Sequence, residues 1–292
     1  MIKLNSNHTI PAIGLGVYQT ASNTAAAIVE TALRVGYRHV DTASIYHNER
    51  ETCEGILRFL ADQSNHHHQV TRADIFYTTK IWDTDHGTAK TEQAIERALD
   101  RLRGDSTANE PDRTLGYIDL LLIHSPQTSA PLRQETWQAM EQAVASGRVR
   151  SIGVSNYGIA HLDELLSYAK IAPAVNQVEL HPWLQRRELV AYCQRHGIVL
   201  EAYSPLTRAH KLGGKDAGLV AVARRHARTE AQVLVKWALQ RGFVVLPKSV
   251  HTDRIKENFN VADFELTESD LQELGDPEAY YTTGWDPTTF KG

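Results

Sequence analysis

Cysteine is scarce. The 292-residue chain has two, Cys53 and Cys193, far apart and each within an apparent helix, which leaves neither a disulfide framework nor a C-x-x-C metal site. A reducing cytoplasm is the expected setting. Charge of one sign is lacking as well: 31 Lys and Arg stand against 35 Asp and Glu, for a formal charge of -4. That balance argues against a nucleic-acid footprint or a polybasic membrane surface, and leaves a small molecule as the expected partner. Apolar runs are short, none approaching bilayer-spanning length, and the opening MIKLNSNHTIPAIGLG has neither the basic flank nor the apolar core of a secretion signal. Without such a signal, the sequon-like Asn7-His8-Thr9 reads as a turn. No Pro/Gly/Ser-rich linker divides the chain, so one domain over residues 1–292 is expected. Gly14-Leu15-Gly16 is no dinucleotide fingerprint, because no third glycine follows at the needed spacing; its expected use is close approach of the chain to a ligand. Consecutive histidines in a loop are expected to point different ways, and the run His66-His67-His68 has no carboxylate or Cys cluster beside it in the sequence, so no metal is expected there.

What the chain does have is an alternation. With 42% hydrophobic residues it can bury a large core. After a hairpin over residues 2–11, short apolar strands and amphipathic helices alternate to about residue 260. Strands are expected near 13–17, 37–42, 74–80, 117–123, 149–154, 174–179, 198–203 and 243–247. The helical half of the pattern is seen in TEQAIERALDRL, where Ala94, Ile95, Ala98, Leu99 and Leu102 form one stripe. This succession of βα units favours an α/β fold, a closed (β/α)8 TIM barrel. Two overlong polar loops, SNHHHQVTRAD and RGDSTANEPDRT, each run from a helix into a strand and so belong on the N-terminal face of that barrel.

Four polar residues stand at or just past strand ends, no two on one strand. Asp41 lies in HVDTA, Lys80 closes IFYTTK, His124 closes YIDLLLIH, and Tyr46 sits in the loop after Asp41. A parallel barrel gathers strand ends on one face. A tyrosine with a reference pKa near ~10 holds its proton at neutral pH, and a nearby Lys80 ammonium is expected to lower that value. Asp41 would orient the lysine, while a neutral His124 donates one ring N–H to a carbonyl oxygen. Singly, each residue is more readily structural than functional, an Asp capping a helix or a Tyr filling space. Converging on one face, they read as a proton-transfer site.

The stretch GYRHVDTASIYHNE and the strands FYTTKIW and IDLLLIHSP resemble the aldo-keto reductase superfamily, and the resemblance covers nearly the whole chain. It implies a (β/α) barrel that binds NADPH without a Rossmann fold, with Asp41, Tyr46, Lys80 and His124 as the catalytic set for carbonyl reduction. It implies further that Ser155 and Asn156 of GVSNY, with Gln177, hold the nicotinamide carboxamide. Tyr203 of EAYSPL would stack on the nicotinamide, with Ser204 and Leu206 along the pyrophosphate path. In LPKSVHTDRIKEN, Lys248, Ser249, Val250 and Arg254 would surround the ribose phosphate, with Glu257 and Asn258 near the adenine. Gly16, Val17, Tyr18 and Asp41 complete the implied cofactor set. The chemistry is sensible: Ser and Asn offer donors and acceptors to an amide, a flat ring suits stacking, and two cations with a hydroxyl suit a phosphate, which favours NADPH over NADH. The plainer readings are that Ser155-Asn156 caps the next helix and that Arg254 and Lys256 form a solvated helix face.

The sequence departs from many relatives at Ser125 and Tyr18, where they carry Trp. Trp82 matches. The expected substrate wall is Tyr18, Tyr46, Trp82, His124, Ser125 and Trp285, the last from a tail over residues 276–292 that the resemblance places across the active-site face. The expected activity is NADPH-dependent reduction of a small aldehyde or ketone with Tyr46 as general acid. Two alternatives stand: a cofactor-binding redox sensor of the same superfamily with little turnover, and a barrel hydrolase or isomerase holding a phosphorylated substrate at Lys248 and Arg254.

Overall fold

The computed structural model describes residues 1–62, 70–104 and 114–292. The chain opens with a hairpin in which β1 (Ile2–Lys3) and β2 (Thr9–Ile10) pair antiparallel. Then β3 (Leu15–Gly16), α1 (Ser22–Val35), β4 (His39–Asp41), α2 (Glu49–Ala61), β5 (Phe76–Ile81), α3 (Thr88–Arg101) and β6 (Ile118–Ile123) follow. The second half runs α4 (Ala130–Ala145), β7 (Val149–Ser155), α5 (Ile159–Tyr168), β8 (Val175–Glu179), α6 (Arg187–Arg195), β9 (Val199–Tyr203), α7 (Ala217–Arg225), α8 (Glu230–Gln240) and β10 (Val244–Val245). Two helices, α9 (Thr252–Phe259) and α10 (Glu268–Glu273), close the described order.

Strands β3 to β10 pair parallel in chain order. A parallel bridge between Ile13 and Val245 joins the first strand to the last, with the Gly14 and Val245 amides donating to Val245 O and Ala12 O at 2.9 Å each. The sheet therefore closes into the (β/α)8 barrel that the alternation led us to expect. The first and last strands are shorter than expected, two residues each. At the last strand the cause is Pro247, which has no N–H to extend the ladder and serves only as acceptor, from Gly16.

The helices form where local chemistry and burial agree. In α3, Ile95 and Ala98 of the expected stripe are buried, and Leu102 just beyond the helix is buried too. Helix α8 begins in a reciprocal capping box between Thr229 and Gln232. Helix α1 ends at Gly36, whose φ of 126° and close approach to the Phe259 ring leave no room for a side chain. Outward strand faces and helix stripes make one large core, with Trp137 and Trp237 fully buried in it.

A second, separate cluster fills the lower barrel interior. Leu4 and Ile10 of the hairpin meet Phe76, Leu120, Leu122, Val175 and Val244. Because Phe76, Val175 and Val244 each begin a strand, the hairpin plugs the N-terminal end of the barrel. The opposite end is left to polar side chains. The ends of the second long loop, Arg103 and Thr114, pair in an antiparallel bridge shortly before β6 starts, on the plugged side. The run His66-His67-His68 and residues 105–113 lie outside the described residues. Among the described residues, no helix is long and apolar enough to cross a membrane, and no cluster of His, Cys, Asp or Glu is arranged to hold a metal.

Truncating the plug tests this division. Leu4→Ala removes a side chain with 2% exposure, so chemical denaturation should show a loss of about 2–5 kcal/mol. A loss under ~1 kcal/mol would mean that the hairpin contributes little to the core.

Candidate active site

The open end of the barrel is centred on an ion pair sealed from water. The Lys80 ammonium donates to Asp41 Oδ1 and Oδ2 at 2.7 and 2.8 Å and to Thr42 O at 2.9 Å. Both side chains are almost fully buried. Register explains the meeting: Asp41 pairs with Thr78, and Lys80, two residues on, points to the same barrel face. Tyr46 arrives on a single 3-10 turn, Ser44–Tyr46. That turn is pinned by Asn48, which accepts from Thr42 Oγ1 at 2.8 Å and donates to Val17 O and Thr20 O at 3.0 Å each. His124 closes the group, its ring edge-on to Tyr46 at 5.7 Å between centroids. All four expected residues are thus brought together.

One electrostatic expectation fails. Tyr46 is held well above its ordinary pKa by burial, with the Asp41 charge pushing the same way and the Arg208 charge the other. The Lys80 ammonium does not offset this: its hydrogens are directed at Asp41 and Thr42, and Nζ lies 5.1 Å from the Tyr46 ring centre. The tyrosine is therefore a firmly protonated phenol across the ordinary pH range. His124 is pushed far below its usual range by burial and by the nearby Lys80 charge, so it is neutral. Its Nδ1 is sealed without a partner. An orphaned N–H is worse tolerated than an orphaned acceptor, so we assign the ring hydrogen to Nε2, the nitrogen left to face the opening.

From this centre a cleft of about 1490 Å³ runs to the start of α9. Gly16, Tyr18, Asp41, Ser155, Asn156, Gln177, Tyr203, Ser204 and Leu206 line it, and so do Lys248, Ser249, Val250, Arg254, Glu257 and Asn258. Asn156, in a left-handed conformation at φ 60°, donates to His124 O at 3.0 Å and Ser155 Oγ at 3.1 Å and accepts from the Tyr203 hydroxyl at 2.8 Å. Ser155 Oγ donates to Gln177 O at 2.8 Å. The donors of Ser155 and Asn156 are thus engaged within the protein, contrary to the expectation that they face a ligand. What this corner offers is acceptor capacity at Asn156 Oδ1 and Gln177 Oε1, which suits an amide NH2. At the far end, Lys248 and Arg254 have no ion-pair partner among the described residues, and burial lowers the Lys248 pKa. Two unpaired cations beside a helix start fit a phosphate.

Aromatic rings wall the near end. Trp82 meets His124 at 5.0 Å and Trp285 at 5.9 Å, and Tyr18 meets Tyr46 at 5.0 Å. Trp285 is carried by the C-terminal tail, which is anchored by an ion pair between Arg186 and Asp286 at 2.9 Å and by the Thr283 amide on Glu179 at 3.0 Å. The other tail aromatics serve elsewhere: Tyr281 lies against His181 and His210, and Phe290 stacks on His161.

Besides Lys80, whose side chain is sealed against Asp41 and Thr42, two expected site residues do not reach the cleft. Val17 is fully buried in the outer core, and its amide binds Asp41 O at 3.1 Å. Ser125 is buried too, turned to donate to the Asp83 carboxylate at 2.7 Å, because an accepting pair of oxygens lies behind it. Gly14 also has another reason than ligand approach: a Cβ there would come 2.6 Å from His39 Nδ1. The sequence reading missed Glu201, His39 and Arg208. Glu201 had a signal, a charge inside VLEAY two residues before Tyr203 and hence on the same strand face. Arg208 had none, since it depends on a left-handed run at Thr207, Arg208 and Ala209, with φ of 49°, 48° and 63°. That run sets its guanidinium 5.7 Å above the Tyr18 ring centre.

The sequence matches the model for the Aldo/keto reductase family over residues 12–276. An uncharacterized oxidoreductase of Saccharomyces cerevisiae is 41% identical over 288 residues, 98% of this chain and 97% of its own length. A glyoxal reductase of Bacillus subtilis is 39% identical over 274 residues, 94% of this chain and 91% of its own. A solved Bombyx mori aldo-keto reductase in complex with NADP has a TM-score of 0.81 at 33% identity, over 94% of this chain and 91% of that one.

Glu201 generates a prediction about stability. It is fully buried, and burial raises its pKa from 4.5 to about 8, with the neighbouring Asp41 charge adding to the rise. The folded state therefore keeps a proton that the unfolded chain releases. The resulting stabilisation is complete below about pH 4.5 and is lost as pH rises towards 8. Thermal melts should show Glu201→Gln gaining on the wild type as pH rises from about 4.5 to 8, and levelling off above that. Parallel curves would place the ionisation elsewhere.

Proposed function

Because the chain belongs to the aldo/keto reductase family, we propose that it is an NADPH-dependent reductase of small aldehydes or ketones, with residues 1–292 as one catalytic domain working in the cytoplasm without a nucleic-acid or membrane partner. The observation that carries this reading is the continuity of one cleft from the Tyr46 and His124 side chains to the unpaired Lys248 and Arg254. When bound, NADPH would supply the hydride that reduces the carbonyl carbon. The chain's own residues do the rest.

Asn156 Oδ1 and Gln177 Oε1 accept from the carboxamide, and the Tyr203 ring, held by its hydrogen bond to Asn156 at 2.8 Å, lies against the nicotinamide. Ser204 and Leu206 flank the pyrophosphate. Lys248, Ser249 and Arg254 hold the ribose phosphate that distinguishes NADPH from NADH, with Glu257 and Asn258 beyond. The carbonyl oxygen sits between His124 Nε2–H and the Tyr46 hydroxyl. His124 orients it, and Tyr46 gives its proton to the developing alkoxide, a base strong enough to draw it from a raised phenol. Asp41 and Lys80 fix the floor beneath the tyrosine. Trp82 and Trp285 exclude water from the reacting carbon. The relative named glyoxal reductase supports a small carbonyl as substrate.

Removing the hydroxyl separates chemistry from binding. Tyr46→Phe should lower kcat by at least ~100-fold while NADPH affinity, read by fluorescence quenching, stays within about twofold, since no cofactor contact is lost. Equal loss of both would overturn the proton-donor role. Arg254→Leu should weaken NADPH by about tenfold or more and leave NADH unchanged; a matched loss for both cofactors would move the phosphate site elsewhere.

A further inference from the structure

The rim of the cleft carries a charge to which the reaction as proposed gives no task. Arg208 follows β9 on a 3-10 turn, Thr207–Ala209, whose three residues are left-handed at φ of 49°, 48° and 63°. Such a backbone persists only where its surroundings fix it. Here the Thr207 amide donates to Ser204 O at 2.9 Å, the Ala209 amide to Leu206 O at 2.8 Å and the Lys215 ammonium to Ala209 O at 3.1 Å. The Arg208 side chain is exposed and lines the cleft. Its guanidinium carbon lies 5.7 Å from the centre of the Tyr18 ring, and a Cβ on Gly284 would come 3.6 Å from Nη1. The cation therefore reaches from the loop after β9 to the tail, one residue before Trp285.

No acid answers it. Arg208 has no ion-pair or hydrogen-bond partner among the described residues, and the carboxylates that line the same cleft are committed or remote. Asp41 is bonded to Lys80, and Glu179 accepts from the Thr283 amide and hydroxyl. Glu230 accepts from the Gly213 and Gly214 amides at 2.7 and 3.0 Å, and Glu257 stands on α9 at the far end. Lys248 and Arg254 belong to that far end as well, whereas Arg208 is set against the aromatic wall. A guanidinium presents a planar fork that pairs with a carboxylate through two parallel N–H···O bonds, and rings beside it limit the screening by water. One cation balances one negative charge; a phosphate dianion calls for more, as the two cations at the far end supply. The Tyr18 ring meets both the Tyr46 ring, at 5.0 Å, and the guanidinium. A carbonyl at Tyr46 and an acid at Arg208 are thus separated by roughly the span of an aromatic ring.

We propose that Arg208 determines substrate specificity in this chain: it pairs with a carboxylate on the substrate, so the preferred substrates are aldehydes or ketones that carry an acid group a ring's span from the carbonyl. The inference rests on the proposed reductase reading. The pairing acts in binding, because the acid group is held away from the reacting carbon. Its loss therefore falls on KM more than on kcat.

The test sets para-carboxybenzaldehyde against its methyl ester, which keeps the ring and removes the charge, as substrates of the full chain with NADPH. The wild type should favour the acid by about tenfold or more in kcat/KM, and Arg208→Leu should erase that preference, chiefly through KM for the acid. Arg208→Lys, with the charge but not the fork, should recover part of it, and Arg208→Glu should reverse it. Binding is read separately by tryptophan fluorescence at saturating NADP+, where the wild type should again take the acid more tightly than the ester. No preference in the wild type, or one that survives in Arg208→Leu, overturns the proposal. So does a loss shared equally by acid and ester and accompanied by weaker NADPH binding, which would assign Arg208 to the cofactor. Acid-selective binding that depends on Arg208, without turnover of any carbonyl, would uphold the carboxylate site and overturn the reductase reading instead.

Discussion

The contact between Lys80 and Asp41 is the constraint on which the rest of the open end depends. An ammonium and a carboxylate removed from water each carry a desolvation cost of several kcal/mol, tolerable only when geometry and further hydrogen bonds are good. Here the lysine makes three short contacts, and the aspartate takes a fourth from Gln177. Every neighbour is then committed. Gln177 must turn its nitrogen inward, Thr42 must offer its carbonyl, and Tyr46 must stand above a carboxylate that holds its proton in place. Removing either charge leaves the other buried and alone, which is costly by about 3–5 kcal/mol.

A polar axis of this kind is affordable only because the remainder of the barrel is not polar. The hairpin residues Leu4 and Ile10 seal the lower interior with strand-starting apolar side chains, so water does not reach the ion pair from below. Function and stability are divided along the barrel axis, as inward side chains of parallel strands allow. The lower layers contribute burial, and the upper layers hold charge.

How far this was readable from sequence depends on what kind of information each feature carries. The strands and helices announce themselves because their apolar periods are local, and β4 to β9 fall within about two residues of their expected bounds. Asp41, Lys80 and His124 were readable because a strand end in a parallel barrel has only one face to point to. What was not readable was direction and charge. Ser125 follows His124 directly, yet its hydroxyl turns to Asp83, a partner 42 positions away that no local pattern shows. The standing of Tyr46 was misjudged because its burial and the Asp41 charge, which together hold its pKa up, are not shown by any local pattern. Arg208 is placed by three consecutive left-handed residues, a conformation that Thr, Arg and Ala do not advertise.

The aromatic wall shows how the same logic reaches the tail. Trp285 keeps 44% of its surface exposed, so burial alone does not hold it over His124. Its position is set by what flanks it: Thr283 on Glu179 before it, Asp286 on Arg186 after it, and its own indole N–H on Gln127 at 3.0 Å. Arg186 in turn is in a left-handed conformation at φ 44°, a strain of about 1–3 kcal/mol that its contacts must offset. The ring over His124 is thus fixed by polar anchors at its own edge and on either side of it. The shape of this wall is therefore set as much by Glu179 at the end of β8 and Arg186 at the start of α6 as by the indole itself.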